Sequence, residues 1–187
     1  MSRDTNRAWQ FKCVLIGDGN VGKTSIRRKY MGEGFVTSHL ATIGVDFAKK
    51  VIVRDGAKVW VVIWDLAGQP SYESVRRHYY AGCHSIILVY SVMDRTSFDN
   101  ASKWLVEAHK YMGKLPPTAV LANKIDLREA HPSDEAVSTE EGRRFAGIFS
   151  ERLEVPVIYK ETSALTGENI QETFHDLIEL MIMLNPV

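Results

Sequence analysis

An apolar run at residues 11–16, F-K-C-V-L-I, passes directly into G-D-G-N-V-G-K-T at 17–24 and then into a proline-free stretch. Few folds accommodate that order. A buried strand must feed a tight turn, and the turn must open a helix whose first amides point back at an anion. Gly17, Gly19 and Gly22 let the backbone curl so that successive N–H groups converge. Lys23 then places a point charge on terminal phosphates, and the Thr24 hydroxyl is a ligand for Mg²⁺. The whole turn, with Asp18, Asn20, Val21 and Ser25, is the candidate phosphate cradle.

Further buried runs at 86–89, 119–122 and 155–159 alternate with amphipathic stretches at 98–112, 139–149 and 168–184. Short, continuously hydrophobic strands separated by helices predict a doubly wound, mostly parallel α/β sheet. Residues 51–53 and 59–63 flank Asp55-Gly56, a hairpin signal, so one edge strand is expected antiparallel. Ser138 and Glu141 have capping-box spacing, and 127–137 reads as a polar surface loop. Arg27 and Arg28 are placed on the exposed side of the first helix.

At 187 residues the chain fits one domain with a proper core. Lys+Arg and Asp+Glu both total 23, so no basic field points to nucleic acid. Cys13 and Cys83 lack metal-site spacing and read as buried apolar residues in a reducing, cytoplasmic setting. The first ten residues lack an apolar signal core, and no run approaches the roughly 20 residues of a membrane span. The last residues, I-M-L-N-P-V, contain no cysteine, so this chain offers no prenylation box.

Two more clusters fall at strand ends, the ligand side of an open α/β sheet. Asp65 in W-D-L-A-G-Q is placed to hold Mg²⁺ through water. Gly68 can bring its amide to a γ-phosphate, and Gln69 can orient an attacking water. Asn123, Lys124 and Asp126 end the fifth strand; Ser163, Ala164 and Leu165 follow the sixth. The Asp126 carboxylate can accept from guanine N1–H and its exocyclic amine, a donor pair adenine lacks. Lys124 can lay its stem on the base, and the Ala164 amide can meet the guanine carbonyl.

With GDGNVGKT, ATIGVDF, WDLAGQ, ANKID and ETSAL in order, the chain resembles a Ras-superfamily small GTPase, most closely the Rab branch. The resemblance spans about residues 10–184. It implies a single P-loop NTPase (G) domain over 9–185, with a six-stranded sheet; the polar terminal residues 1–8 are expected to be disordered. It implies GTP/GDP and Mg²⁺ as ligands, and a switch that hydrolyses GTP and binds effectors in the GTP state, with a membrane-traffic-like role. Thr42 would close on Mg²⁺ and the γ-phosphate, so that Lys23, Thr42 and Gln69 carry the chemistry. Phe35 would lie against the base. Phe47, Trp64 and Tyr79 would receive effectors; without the resemblance, Phe47 and Tyr79 would be read as core.

No arginine stands in place as a finger in cis, and Arg76 and Arg77 read as surface residues. Unaided turnover is therefore expected on the order of 10⁻⁴ to 10⁻² per second, by analogy with related switches. Activating and exchange factors would set the timing, and the chain is expected to be a monomer. A nucleotide-holding scaffold without turnover is the alternative.

The chain also departs from the family pattern. Pro70 follows Gln69 where an acidic residue is common, restricting the backbone of the catalytic residue. Leu66 replaces a frequent threonine, and Leu165 a frequent lysine. The absent prenylation cysteine implies either a longer tail or a mode of action without that anchor.

Overall fold

The computed structural model describes residues 8–35, 42, 44–66, 73–133 and 135–186; the side chains of 73–76 and 129 lie outside that description. The strands are β1 (Ala8–Ile16), β2 (Val45–Arg54), β3 (Ala57–Leu66), β4 (Ser85–Ser91), β5 (Thr118–Asn123) and β6 (Val157–Thr162). They form one sheet in the order β2-β3-β1-β4-β5-β6. The β2–β3 pair is antiparallel, and each of the other pairs is parallel. Asp55 and Gly56 both take positive φ, as a two-residue hairpin turn requires.

Strand alternation divides the core into two layers. Cys13, Leu15, Val59, Val61, Ile63, Ile87 and Val89 pack on one face with α1 (Lys23–Met31) and α7 (Ile170–Leu184). Tyr30 of α1 stacks on Phe174 of α7 with centroids 3.7 Å apart. Val14, Ile16, Ile86, Leu88 and Tyr90 face the other way. That layer is closed by α2 (Glu73–Tyr80), α3 (Arg95–Asp99), α4 (Ala101–Met112) and α6 (Thr139–Leu153). Residues 1–7 lie outside the description, and Ala8 already belongs to β1.

Three expectations change in detail. The stretch at 98–112 is two helices, because Asp94 caps a short first one and Asn100 starts the second. Within the polar loop at 127–137, Leu127–Ala130 forms a helical turn, α5. Cys83 is half-buried rather than buried, although burial still holds both thiols up at about 12. The capping box at Ser138 and Glu141 forms with both reciprocal bonds. Among the described residues, no helix is long and apolar enough to cross a membrane.

Candidate nucleotide and metal site

Strand β1 delivers the glycine-rich turn to the carboxyl edge of the sheet, and two of its glycines are dictated by space. A Cβ on Gly17 would lie 2.1 Å from the Val89 carbonyl oxygen, and one on Gly22 would lie 2.3 Å from Asn123 Nδ2. Both also take positive φ. Gly19 does not: a Cβ there meets nothing, and the left-handed residue beside it is Asn20, with φ 62°. The curl expected of three glycines is thus carried by two glycines and an asparagine, which tolerates that conformation.

Helix α1 starts at Lys23 without a side-chain cap, so its first amides and its positive dipole end face the turn. Val21 is buried beneath the loop, while Ser25 is half-buried in the first helical turn. The Lys23 ammonium donates to the carbonyls of Gly17 (2.8 Å) and Asp18 (2.7 Å). Asp18 in turn accepts from Asn100 Nδ2 (2.8 Å) and Trp104 Nε1 (2.6 Å), which tie the turn to α4.

Three hard oxygens from three separate elements meet beside Lys23. Thr24 Oγ1 donates to Asp65 Oδ2 and lies 3.0 Å from Thr42 Oγ1. With its one proton committed to Asp65, Thr24 accepts from Thr42. Asp65 is fully buried, and its Oδ1 has no hydrogen-bond partner. Burial raises the Asp65 pKa above the usual carboxylate range, opposed by the Thr24 bond and by the charges of Lys23 and Arg27. Two hydroxyls and a carboxylate with an unpartnered oxygen suit a hard divalent cation such as Mg²⁺. Among the described residues, no cluster of three His, Cys, Asp or Glu offers another metal site.

Arg27 corrects an expectation. Its side chain is 9% exposed and pairs with Asp46 Oδ2 at 2.7 Å, with Asp65 Oδ2 4.0 Å away. Residues 23, 26, 27 and 30 are the buried stripe of α1. Spacing of i, i+3, i+4 and i+7 was the available signal, overridden by the habit of placing arginine outside.

The opposite end of the site is built on Asn123, which is fully buried. Its Nδ2 donates to the Val21 carbonyl (2.8 Å), while its Oδ1 accepts from Thr162 Oγ1 (3.2 Å) and the Ala164 amide (3.2 Å). The Ala164 amide expected to face a base is therefore bonded to Asn123. Ser163 Oγ donates to Asp126 Oδ1 at 2.5 Å, aligning that carboxylate. Lys124 takes φ 69°, and burial lowers its pKa despite nearby Asp94 and Asp126. Leu165 is exposed, its carbonyl accepting from Lys29 at 3.3 Å. Phe35 is 41% exposed at the end of its described segment. Gly68, Gln69 and Pro70 lie outside the described residues.

Phe47 of β2, Trp64 of β3 and Tyr79 of α2 are contiguous: Phe47 is exposed rather than core, while Trp64 and Tyr79 are half-buried against the second core layer. Phe47 and Trp64 centroids are 5.9 Å apart, and Trp64 and Tyr79 5.4 Å. Phe47 is 65% exposed, and the Lys12 ammonium lies over Trp64. Arg77 is exposed, and Arg76 falls among the side chains left undescribed.

Comparison with known proteins agrees with this arrangement. Residues 12–183 match the Ras family. Over 164 residues, 88% of this chain, the sequence is 35% identical to "GTP-binding protein YPTM2" of Zea mays, covering 76% of that protein. It is 37% identical over the same length to "Ras-related protein RABD2c" of Arabidopsis thaliana, again covering 76%. "Ras-related protein RIC1" of Oryza sativa subsp. japonica is 35% identical with the same coverage. A glycine-framed phosphate turn, a buried aspartate beside two threonine hydroxyls and an Asn-Lys-x-Asp turn stand on one edge of this sheet, and the chain belongs to the Ras family of small GTPases, most similar to its Rab branch.

Proposed function

We propose that residues 9–185 act as one G domain that binds GTP and GDP with Mg²⁺, hydrolyses GTP slowly, and receives effectors in the GTP state. The observation that carries the reading is the meeting of Thr24, Thr42 and Asp65 oxygens beside Lys23. Thr24 and Thr42 would hold the metal, with Asp65 behind them. Bound magnesium supplies positive charge to the β- and γ-phosphate oxygens.

The chain's own residues do the rest. The α1 amides and Lys23 bind phosphate oxygens, with the ammonium exchanging its carbonyl partners for them. Gln69 aims water in line with the leaving GDP, and Gly68 meets the γ-phosphate through its amide. Asp126 accepts from the guanine edge, with Lys124 and Phe35 against the base. Phosphate contacts at Thr42 and Gly68 order their two loops, and hydrolysis releases them. Phe47, Trp64 and Tyr79 form the surface that reads this state, and external proteins set the rates of hydrolysis and exchange. The role is regulatory and membrane-traffic-like, exercised by a monomer in the cytoplasm and peripheral to membranes where a tail or a partner supplies the anchor.

Chromatography of nucleotide released from freshly purified, denatured protein tests the reading, with guanine nucleotide as the expected product. Asp126→Asn should weaken GTP and favour xanthosine triphosphate. If ATP competes equally with GTP for the wild-type protein, the base assignment fails. A single-turnover assay that shows no GDP formation leaves the nucleotide-holding scaffold in its place.

A further inference from the structure

Arg27 is a buried cation in a helix that already presents Lys23 to the site. Three carboxylates surround it: Asp46 Oδ2 at 2.7 Å, Asp65 Oδ2 at 4.0 Å and Glu33 Oε1 at 4.0 Å. These acids come from different parts of the fold. Asp46 is the second residue of β2 and lies four residues after Thr42. Asp65 is the penultimate residue of β3, and Glu33 follows α1. We infer that Arg27 is a positioning residue: it clamps the start of β2 against α1 and β3, so that Thr42 and Asp65 are presented together to the metal.

Two features make the clamp directional. Thr24 and Arg27 both address Asp65 Oδ2, leaving Oδ1 without a hydrogen-bond partner. The Thr24 hydroxyl therefore holds the carboxylate by Oδ2, and the Arg27 guanidinium faces that same oxygen at 4.0 Å as a charge rather than a hydrogen-bond donor. On the far side, Asp46 donates no proton but accepts from Arg27 Nη2, and its Oδ1 accepts the Phe47 amide at 2.9 Å. The ion pair thus fixes main chain in β2, not only a side chain.

A bare guanidinium this near a metal ligand would repel the metal. The ion pair with Asp46 at 2.7 Å offsets that charge most strongly, because Coulomb energy falls with distance, and Asp65 at 4.0 Å offsets it further. A lysine could hold one of these acids. The planar fork of arginine can address two, which is the chemical reason for this residue type at this position.

The inference rests on the proposed magnesium-nucleotide reading, and release of a fluorescent GDP analogue separates the two. Release is measured in millimolar Mg²⁺ and again in EDTA, for wild type, Arg27→Met, Arg27→Lys and Asp46→Asn. A wild-type protein whose release is indifferent to EDTA would refute the metal reading itself.

With the wild-type metal effect present, Arg27→Met should release about tenfold faster in Mg²⁺, the size of one charge-assisted hydrogen bond, with little change in EDTA. The EDTA-to-Mg²⁺ rate ratio then shrinks by about the same factor. Asp46→Asn should shrink it less, and Arg27→Lys should restore part of it. A purely structural arginine would accelerate release equally in both conditions, leaving the ratio intact; that result overturns the inference. If Arg27→Met fails to fold, Asp46→Asn decides, because its side chain is 54% exposed, and an unchanged ratio there sinks the clamp.

Discussion

The two ends of the site are built on opposite principles. At the base end, Asn123 uses both atoms of its carboxamide, and Asp126 is aligned by Ser163. Buried polar groups satisfied in this way stiffen a frame. At the phosphate end, Asp65 is fully buried with Oδ1 unpartnered, and burial raises its pKa even with Lys23 and Arg27 nearby. That end carries unrelieved electrostatic demand. The first is a satisfied frame; the second keeps a buried carboxylate oxygen without a partner.

Substitutions at the two ends should separate sharply. Asn123→Ala leaves the Val21 carbonyl, the Thr162 hydroxyl and the Ala164 amide without their partner. We expect a loss of about 3 kcal/mol, read by denaturant melts of nucleotide-free protein. A loss below about 1 kcal/mol would mean that water replaces the carboxamide and the frame is not rigid.

Gly22→Ala attacks the point where the ends touch. Its Cβ would meet Asn123 Nδ2 at 2.3 Å, on a backbone with φ 102°. A cost of about 2 kcal/mol is expected from the same melts, together with weaker nucleotide retention.

Asp65→Asn should do the reverse of Asn123→Ala. A carboxyl whose folded pKa is raised above 3.8 is favoured by the fold in its neutral form. Its contribution is complete below that value and is lost as pH rises through the higher folded one. In EDTA without nucleotide, the variant's melting temperature at neutral pH should therefore hold or rise, while stabilisation by Mg²⁺ and GDP disappears. A drop matching that of Asn123→Ala would erase the contrast between the two ends.

The smallest effect lies outside the site, at Glu141. The Arg95 bond first, and then its Ser138 bonds, lower the Glu141 pKa from 4.5 to about 2. A depressed carboxyl contributes stability above its unfolded pKa and loses it as pH falls through the folded one. Glu141→Gln should flatten the acid limb of stability between those values, weakly, because the pair is solvent-exposed. An unchanged limb would show that the capping box does not depend on charge.

What is legible in the sequence is mostly local. The strand–turn–helix around Lys23, the Asp55-Gly56 hairpin and the Ser138 capping box each depend on residues a few positions apart, and each stands where expected. The strand ends followed too, because parallel sheets collect ligand groups on one edge.

What the sequence does not show depends on distant partners. Arg27 is buried because Asp46 and Asp65 come to it from β2 and β3. Asn100 and Trp104 join the site because α4 crosses Asp18. The aromatic residue Phe47 is exposed because β2 is an edge strand, a property of the sheet and not of the residue. Gly19 reads as one of three glycines that let the turn curl, yet it lacks a positive φ and a Cβ there would meet nothing, which only the fold shows.

One carboxamide joins the floor of the phosphate turn to the wall of the base loop. That shared rivet couples the two loops: displacing either one strains a bond held by the other.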